Sequence, residues 1–403
     1  MSRAIVAGLL IFASAAAAAA EAPKEWVDPA TGHRIVRLSQ EPGSASLYFH
    51  QYAYTAGGTK VLITTPNGGL ATIELPSGQI DPLVEDGVTP IMAGRKTGQV
   101  YYTKGDAVYV IDPASHVTRK IVKLPPHGSV YTVNADETLL AGTYEEPRKE
   151  DAAHPAGENK PLDLRSARGL WFNERFAAHI PMGMFTVNVK TGEIKTILRS
   201  SDWLNHLQFS PGDPGLLMFC HEGPWHKVDR LWLIRTDGSG LTKVHERTMT
   251  MEIAGHEFWS ADGKTVWYDL QTPRGEDFWV AGYEVATGRR IRYHLQRNEW
   301  SVHFNVSPDG SLFVGDGGDE KMVAHAFDGK WIYLFRPELI PNQGIDKPEL
   351  IQSGRFAAER LVNLARHDYT LEPNVSFTPD MKWIVFRSNM DGPTAVYAVE
   401  VKK

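Results

Sequence analysis

Short hydrophobic runs recur along this chain, each preceded by a polar turn of the form Ser/Thr-Pro/Ala-Asp-Gly. The clearest turns are Phe209-Ser210-Pro211-Gly212-Asp213, Trp259-Ser260-Ala261-Asp262-Gly263, Val306-Ser307-Pro308-Asp309-Gly310 and Phe377-Thr378-Pro379-Asp380. Weaker copies stand at Tyr54-Thr55-Ala56-Gly57-Gly58, Gly94-Arg95-Lys96-Thr97-Gly98 and Val133-Asn134-Ala135-Asp136-Glu137. The runs that follow, such as 60–64, 139–143, 265–269 and 383–387, are of strand length and rich in β-branched and aromatic residues. A second run often comes next and closes on another turn, as 231–235 does before Thr236-Asp237-Gly238.

Taking the polar residue of each turn as a mark gives Thr55, Arg95, Asn134, Ser210, Ser260, Ser307 and Thr378. Most gaps are about 40–50 residues, the length of a four-stranded propeller blade. The pattern predicts an all-β fold, a seven-bladed β-propeller in one domain over residues 23–403. Two gaps are longer and hold inserts at 145–181 and 336–364. The first, in the third blade region, is expected to be partly helical, around 166–178.

The first strand of a propeller blade runs along the central channel, so equivalent positions form a ring. Four residues before each mark stand Gln51, Ile91, Val130, His206, His256, His303 and Asn374. Three successive blades therefore place a histidine at one ring position. Converging imidazoles can hold a divalent metal, or one can act as a general base at neutral pH. Glu372 lies two residues before Asn374, and on an extended strand both would point to one face. Histidine with carboxylate and amide oxygens suits Mn²⁺ or Zn²⁺ better than a soft metal. His221 follows a strand and either faces the same cleft or bonds a loop.

Composition narrows the setting. A formal charge of −6 and no basic stripe argue against nucleic-acid binding. The mixed charges of 147–160 read as a solvated loop. Arg3, the apolar stretch 4–20 and small residues around Ala20-Glu21-Ala22 read as a signal peptide over 1–22, predicting a periplasmic or secreted protein. No later segment is long and apolar enough to span a membrane. The one cysteine, Cys220, excludes an internal disulfide framework.

The chain resembles the oligogalacturonate lyase family at Phe219-Cys220-His221-Glu222-Gly223-Pro224, Val228-Asp229-Arg230-Leu231-Trp232-Leu233 and Gly255-His256-Glu257-Phe258-Trp259. His303 with 309–317, Ser376-Phe377-Thr378-Pro379 and the segment 172–181 extend the likeness over most of the mature chain. The resemblance implies a seven-bladed propeller that cleaves short uronic-acid oligosaccharides by β-elimination with bound Mn²⁺. A metal and an arginine would neutralise the substrate carboxylate while a histidine removes the C5 proton. By the family's motifs His256 would be a metal ligand, His206 the first choice for base with His221 second, and Arg230 a partner of the substrate carboxylate.

One departure stands out. The family reads His-Pro-His before Ser-Phe-Thr-Pro, with a glutamine just upstream, where this chain has Glu372-Pro373-Asn374 and Tyr369. The expected metal set here is therefore His256, His303, Glu372 and Asn374. Export is a second departure, since the family's pectin enzymes act in the cytoplasm. The competing reading is a non-catalytic periplasmic propeller that binds a partner protein or carbohydrate, a role with no need of clustered histidines. A glycoside hydrolase would need two carboxyl groups flanking the bond, and the ring offers no obvious pair.

Overall fold

A computed structural model describes residues 24–55, 57–146, 164–322, 326–344, 347 and 349–403. The signal peptide expected over 1–22 and the charged loop 147–160 lie outside the described residues.

Antiparallel strands form seven blades in chain order. Blade 1 comprises Ala45–Ser46, Lys60–Thr64, Leu70–Glu74 and Ile80–Val84; blade 2 comprises Val88–Ala93, Val100–Lys104, Ala107–Ile111 and Thr118–Lys123. Blade 3 is Gly128–Val133, Leu139–Glu145, Met182–Asn188 and Ile194–Ser200; blade 4 is Trp203–Phe209, Leu216–Glu222, Leu231–Arg235 and Thr242–Lys243. Blade 5 is Ile253–Trp259, Thr265–Gln271, Phe278–Glu284 and Arg290–Leu295; blade 6 is Phe304–Val306, Phe313–Gly315, Trp331–Leu339 and Gln352–Asn363.

Blade 7 closes the ring with strands from both ends of the chain. Ser376–Phe377, Trp383–Ser388 and Ala395–Glu400 are joined by Arg34–Arg37, with Val36 opposite Ala398. Val36 and Leu38 accordingly share one core with Val385, Val396 and blade 1 residues such as Val61 and Ile73.

The inserts take two forms. The first carries the helix Leu164–Ala177 between the second and third strands of blade 3, as expected. Its end is tied down where Arg175 donates to Glu145 at 2.8 Å and stacks over Trp203. The second insert holds the long outer hairpin of blade 6. Its last strand pairs in parallel with Arg290–Leu295, so blades 5 and 6 form one eight-stranded sheet. Phe278, Trp300, Phe304, Phe313, Phe335 and Phe356 pack between these blades, each buried side chain contributing about 1.5–3 kcal/mol.

The repeated turn has a definite chemistry. In blades 5, 6 and 7 the hydroxyls of Ser260, Ser307 and Thr378 each donate to an aspartate two residues on, at 2.7 Å. Each also accepts the N–H of the residue five places later, Thr265, Leu312 and Trp383. The residue three places after the mark is left-handed, with φ near 60–74° at Glu137, Gly263, Gly310 and Met381.

The ring position is special in another way. The ladder between the first two strands slips there in blades 2, 3, 4 and 5, at 90–92, 130–132, 205–208 and 255–258. His206, His256 and Asn374 occupy it with φ of 49°, 47° and 55°. Such a bulge re-aims a side chain that strict alternation would bury between blades.

Candidate active site

A cavity of about 410 Å³ opens at the ring position, lined by Tyr48, Phe49, His50, Phe172, His206, Glu222, Trp225, Arg230, His256, Glu257 and Glu372. The connection between the first two strands of blade 1, the helix of blade 3 and blades 4, 5 and 7 all contribute. Pockets of this size are where small ligands bind, and most of this lining is polar or charged.

The bulges of blades 4 and 5 bring His206 and His256 into this space, and His303 lies against His256. The rings of His256 and His303 have centroids 4.8 Å apart, and Phe49 stacks on His303 at 4.6 Å. His256 Nδ1 is 2.9 Å from Asp269 Oδ2 on the next strand. With the proton on Nδ1, this bond fixes the tautomer and leaves the Nε2 lone pair free. Burial disfavours the His256 cation, but Asp269 outweighs it by charge and hydrogen bond, and the pKa is raised.

His303 repeats the arrangement one blade on, with Nδ1 2.9 Å from Asp316 Oδ2 and its backbone N–H on Oδ1. Its side chain is fully buried, and Nε2 has no hydrogen-bond partner. The nearest carboxylate to that nitrogen is Glu372, with Oε2 at 3.7 Å and a side chain 38% exposed.

Arg230 and Glu222 form a buried ion pair on the cavity wall, 3% and 5% exposed. Burial works against the Glu222 charge, yet Arg230 and a contact with His206 hold its pKa down at about 2. His206 Nε2 lies 3.3 Å from Glu222 Oε2. The Arg230 guanidinium also sits 4.3 Å from the Trp225 ring centroid, and its Nε is unpartnered.

Two expected residues are placed elsewhere. His221 points from the opposite face of its strand to Cys220 and Glu222 and lines a neighbouring cavity with Arg175, Trp203, Asp229 and Trp232. Period-two alternation is the reason. Burial lowers its pKa despite Asp202 and Asp229. Asn374 does not share a strand face with Glu372, because its left-handed backbone precedes the strand Ser376–Phe377. Its Oδ1 accepts the Phe49 N–H at 3.1 Å and its Nδ2 donates to the Glu372 carbonyl at 3.0 Å. Both polar atoms are spent on backbone. Tyr369 is likewise committed, its hydroxyl donating to Asp316 O at 2.8 Å.

Among the cavity residues not anticipated are His50, Glu257 and Tyr48. His50 places its ring 5.2 Å from Phe49 and 6.4 Å from His206. Burial, followed by the neighbouring His206 and His303, lowers its pKa to about 3, so it is neutral. Glu257 brings a buried carboxylate whose Oε2 is unpartnered. Tyr48 stands beside the imidazoles. Its phenol is pushed up first by burial and then by Glu372 and Glu257. His50 is one residue before the ring position, a near miss that the mark at Thr55 could have signalled.

Among the described residues no three His, Cys, Asp or Glu side chains are gathered as a closed metal site. The nearest approach to one is a pair, the buried His303 Nε2 and Glu372, next to the His256 ring.

A sequence model of the oligogalacturonate lyase family matches residues 22–403. Over 402 residues the chain is 28% identical to an oligogalacturonide lyase of Pectobacterium atrosepticum, covering 93% of this chain and 95% of that protein. An oligogalacturonate lyase of Dickeya dadantii is 27% identical over 401 residues, with the same coverage. A solved oligogalacturonate lyase in complex with manganese superposes with a TM-score of 0.76 at 25% identity, covering 94% of this chain and 96% of that one. The oligogalacturonate lyase of Vibrio parahaemolyticus shares the fold, with a TM-score of 0.74 at 24% identity and the same coverage. With a match over nearly its whole length, this chain belongs to the oligogalacturonate lyase family.

Proposed function

We propose that this protein is a lyase that cleaves oligosaccharides of 4-linked uronic acids by β-elimination, outside the cytoplasm. The observation that carries the reading is His256, anchored through Nδ1 to buried Asp269 with Nε2 left for the cavity. The substrate class is supported by relatives named for action on oligogalacturonate.

The proton at C5 is weakly acidic, so it needs a base aimed at it and charge compensation at the adjoining carboxylate. His256 is the base in this reading. Its Nε2 takes the proton, and Asp269 stabilises the imidazolium that forms, as in other His–Asp pairs. His206, the first choice from the sequence, directs Nε2 at Glu222 instead. Arg230 is the permanent cation of the wall, but its charge is matched by Glu222.

Glu222, Glu257 and Glu372 outnumber Arg230 in the cavity, so an anionic sugar calls for one more positive charge. The manganese-bound relative suggests its source. The buried, unpartnered His303 Nε2 and the Glu372 carboxylate would hold a divalent ion as two protein donors, a mixed nitrogen–oxygen set that suits Mn²⁺. Such an ion would supply the charge that neutralises the substrate carboxylate.

The test is the rise in ultraviolet absorbance of a C4=C5 unsaturated uronate when the purified protein meets oligogalacturonate with added Mn²⁺. His256→Ala is expected to abolish it. A panel of uronate oligomers that gives no rise, with or without metal, sinks the reading. Export is tested separately by sequencing the N-terminus of protein from the periplasmic fraction or medium, which should begin near residue 23; an intact Met1 in the cytosol would overturn it.

A further inference from the structure

Tyr48 stands in the cavity wall with its ring clamped and its hydroxyl free. Its backbone N–H donates to Gln51 Oε1 at 3.0 Å. Its ring meets His303 edge-on at 5.1 Å and His50 at 4.9 Å, and it lies 6.4 Å from His206. The hydroxyl bonds no residue among those described, and it is not one of the sealed, unpartnered polar atoms. It therefore opens to the cavity it lines.

Elimination has a second requirement that His256 does not meet. The sugar oxygen leaving C4 would depart as an alkoxide, a poor leaving group unless a proton reaches it as the bond breaks. Glu222, with its pKa held at about 2, has no proton to give, and Arg230 holds its protons too tightly. His206 turns Nε2 to Glu222, and His303 bonds Asp316 through Nδ1. A phenol keeps its proton at neutral pH and can still release it to an incipient alkoxide.

We propose that Tyr48 is the catalytic acid of this site, giving its hydroxyl proton to the departing oxygen at C4. The proposal rests on the β-elimination reading above. In the step, His256 Nε2 takes the C5 proton, and the C5–H electron pair becomes the new C4=C5 bond. The C4–O pair stays on the leaving oxygen, which takes the Tyr48 proton and departs as a free hydroxyl. Water restores the phenol, and His256 returns its proton to solvent, so no further reactant is needed.

The experiment compares two substrates. One is oligogalacturonate; the other is a uronate carrying 4-nitrophenoxide at C4, which leaves without a proton. Tyr48→Phe is expected to lower kcat on oligogalacturonate by about 10²–10⁴-fold with KM little changed, while the nitrophenyl substrate is cleaved at the wild-type rate. Equal impairment on both substrates, or on neither, overturns the role. A second measurement needs no variant. Across aryl leaving groups of different acidity the wild-type rate should vary shallowly, and a steep dependence also overturns it. Wild-type protein that cleaves neither substrate removes the lyase reading itself, and Tyr48 falls with it. Cleavage by wild type with Tyr48→Phe unaffected removes Tyr48 alone.

Discussion

The rings of His256 and His303 meet with centroids 4.8 Å apart, and each is held through Nδ1 by an aspartate at 2.9 Å, Asp269 on the adjoining strand and Asp316 just past the end of one. The same device serves two different surroundings. His256 reaches the cavity, whereas His303 is sealed beneath Phe49 with Glu372 before its Nε2.

Asp269 should therefore govern the pH dependence of the reaction. A base works when deprotonated, so kcat/KM rises as pH passes through the raised His256 pKa. Asp269→Asn removes the raising influence and shifts this acid limb to lower pH, while the plateau falls by about 10²–10⁴-fold. A pH–rate profile checks both. An unmoved limb would exclude His256 as the base.

The buried pair of Arg230 and Glu222 governs stability. Glu222→Gln leaves a buried guanidinium unpaired and should cost about 3–5 kcal/mol in urea unfolding. In the wild type the Glu222 pKa is depressed from 4.5 to about 2. Its contribution is full above about pH 4.5 and lost as the pH falls through about 2. Glu222→Gln should flatten stability across that acid window.

Metal affinity separates the expected ligands. His303→Ala should abolish Mn²⁺ binding in titration calorimetry, and Glu372→Gln should weaken it. Asn374→Ala should leave it unchanged, because neither side-chain polar atom is available. That variant should instead lose stability, about 1–3 kcal/mol for the backbone groups left unpaired. Loss of Mn²⁺ affinity in Asn374→Ala would return it to the ligand set.

His221→Ala should retain lyase activity at the wild-type level, since the side chain faces a separate cavity. A steady-state rate measurement is sufficient. A large fall in kcat would place His221 in the reaction.

The propeller was legible because its turn uses one hydroxyl to hold an aspartate and the next strand, a contact written in three or four adjacent letters. The same marks found His206 and His256, because the bulge sits at a constant distance from the turn, and His303, which precedes its blade's first strand at the same spacing. Where the reading assumed strict alternation, as for a shared face of Glu372 and Asn374, it failed. Asn374 is left-handed rather than extended, so it turns away from the role that spacing implied. Glu257, His50 and Tyr48 escaped because irregular backbone near the channel presents neighbours of the ring position as well as the ring position itself. Their partners come from other blades, which no local spacing encodes.

The strand Arg34–Arg37 completes blade 7 beside Ala395–Glu400, some of the first and last described residues of the chain. The cavity draws Tyr48 and His50 from just after that early strand and Glu372 from just before the late ones. A ribosome must therefore release everything from Tyr48 past Glu372 before Glu372 can join the other two. No fragment that ends before Glu372 holds the whole cavity, and a break that frees either strand would unseat both sides of it together.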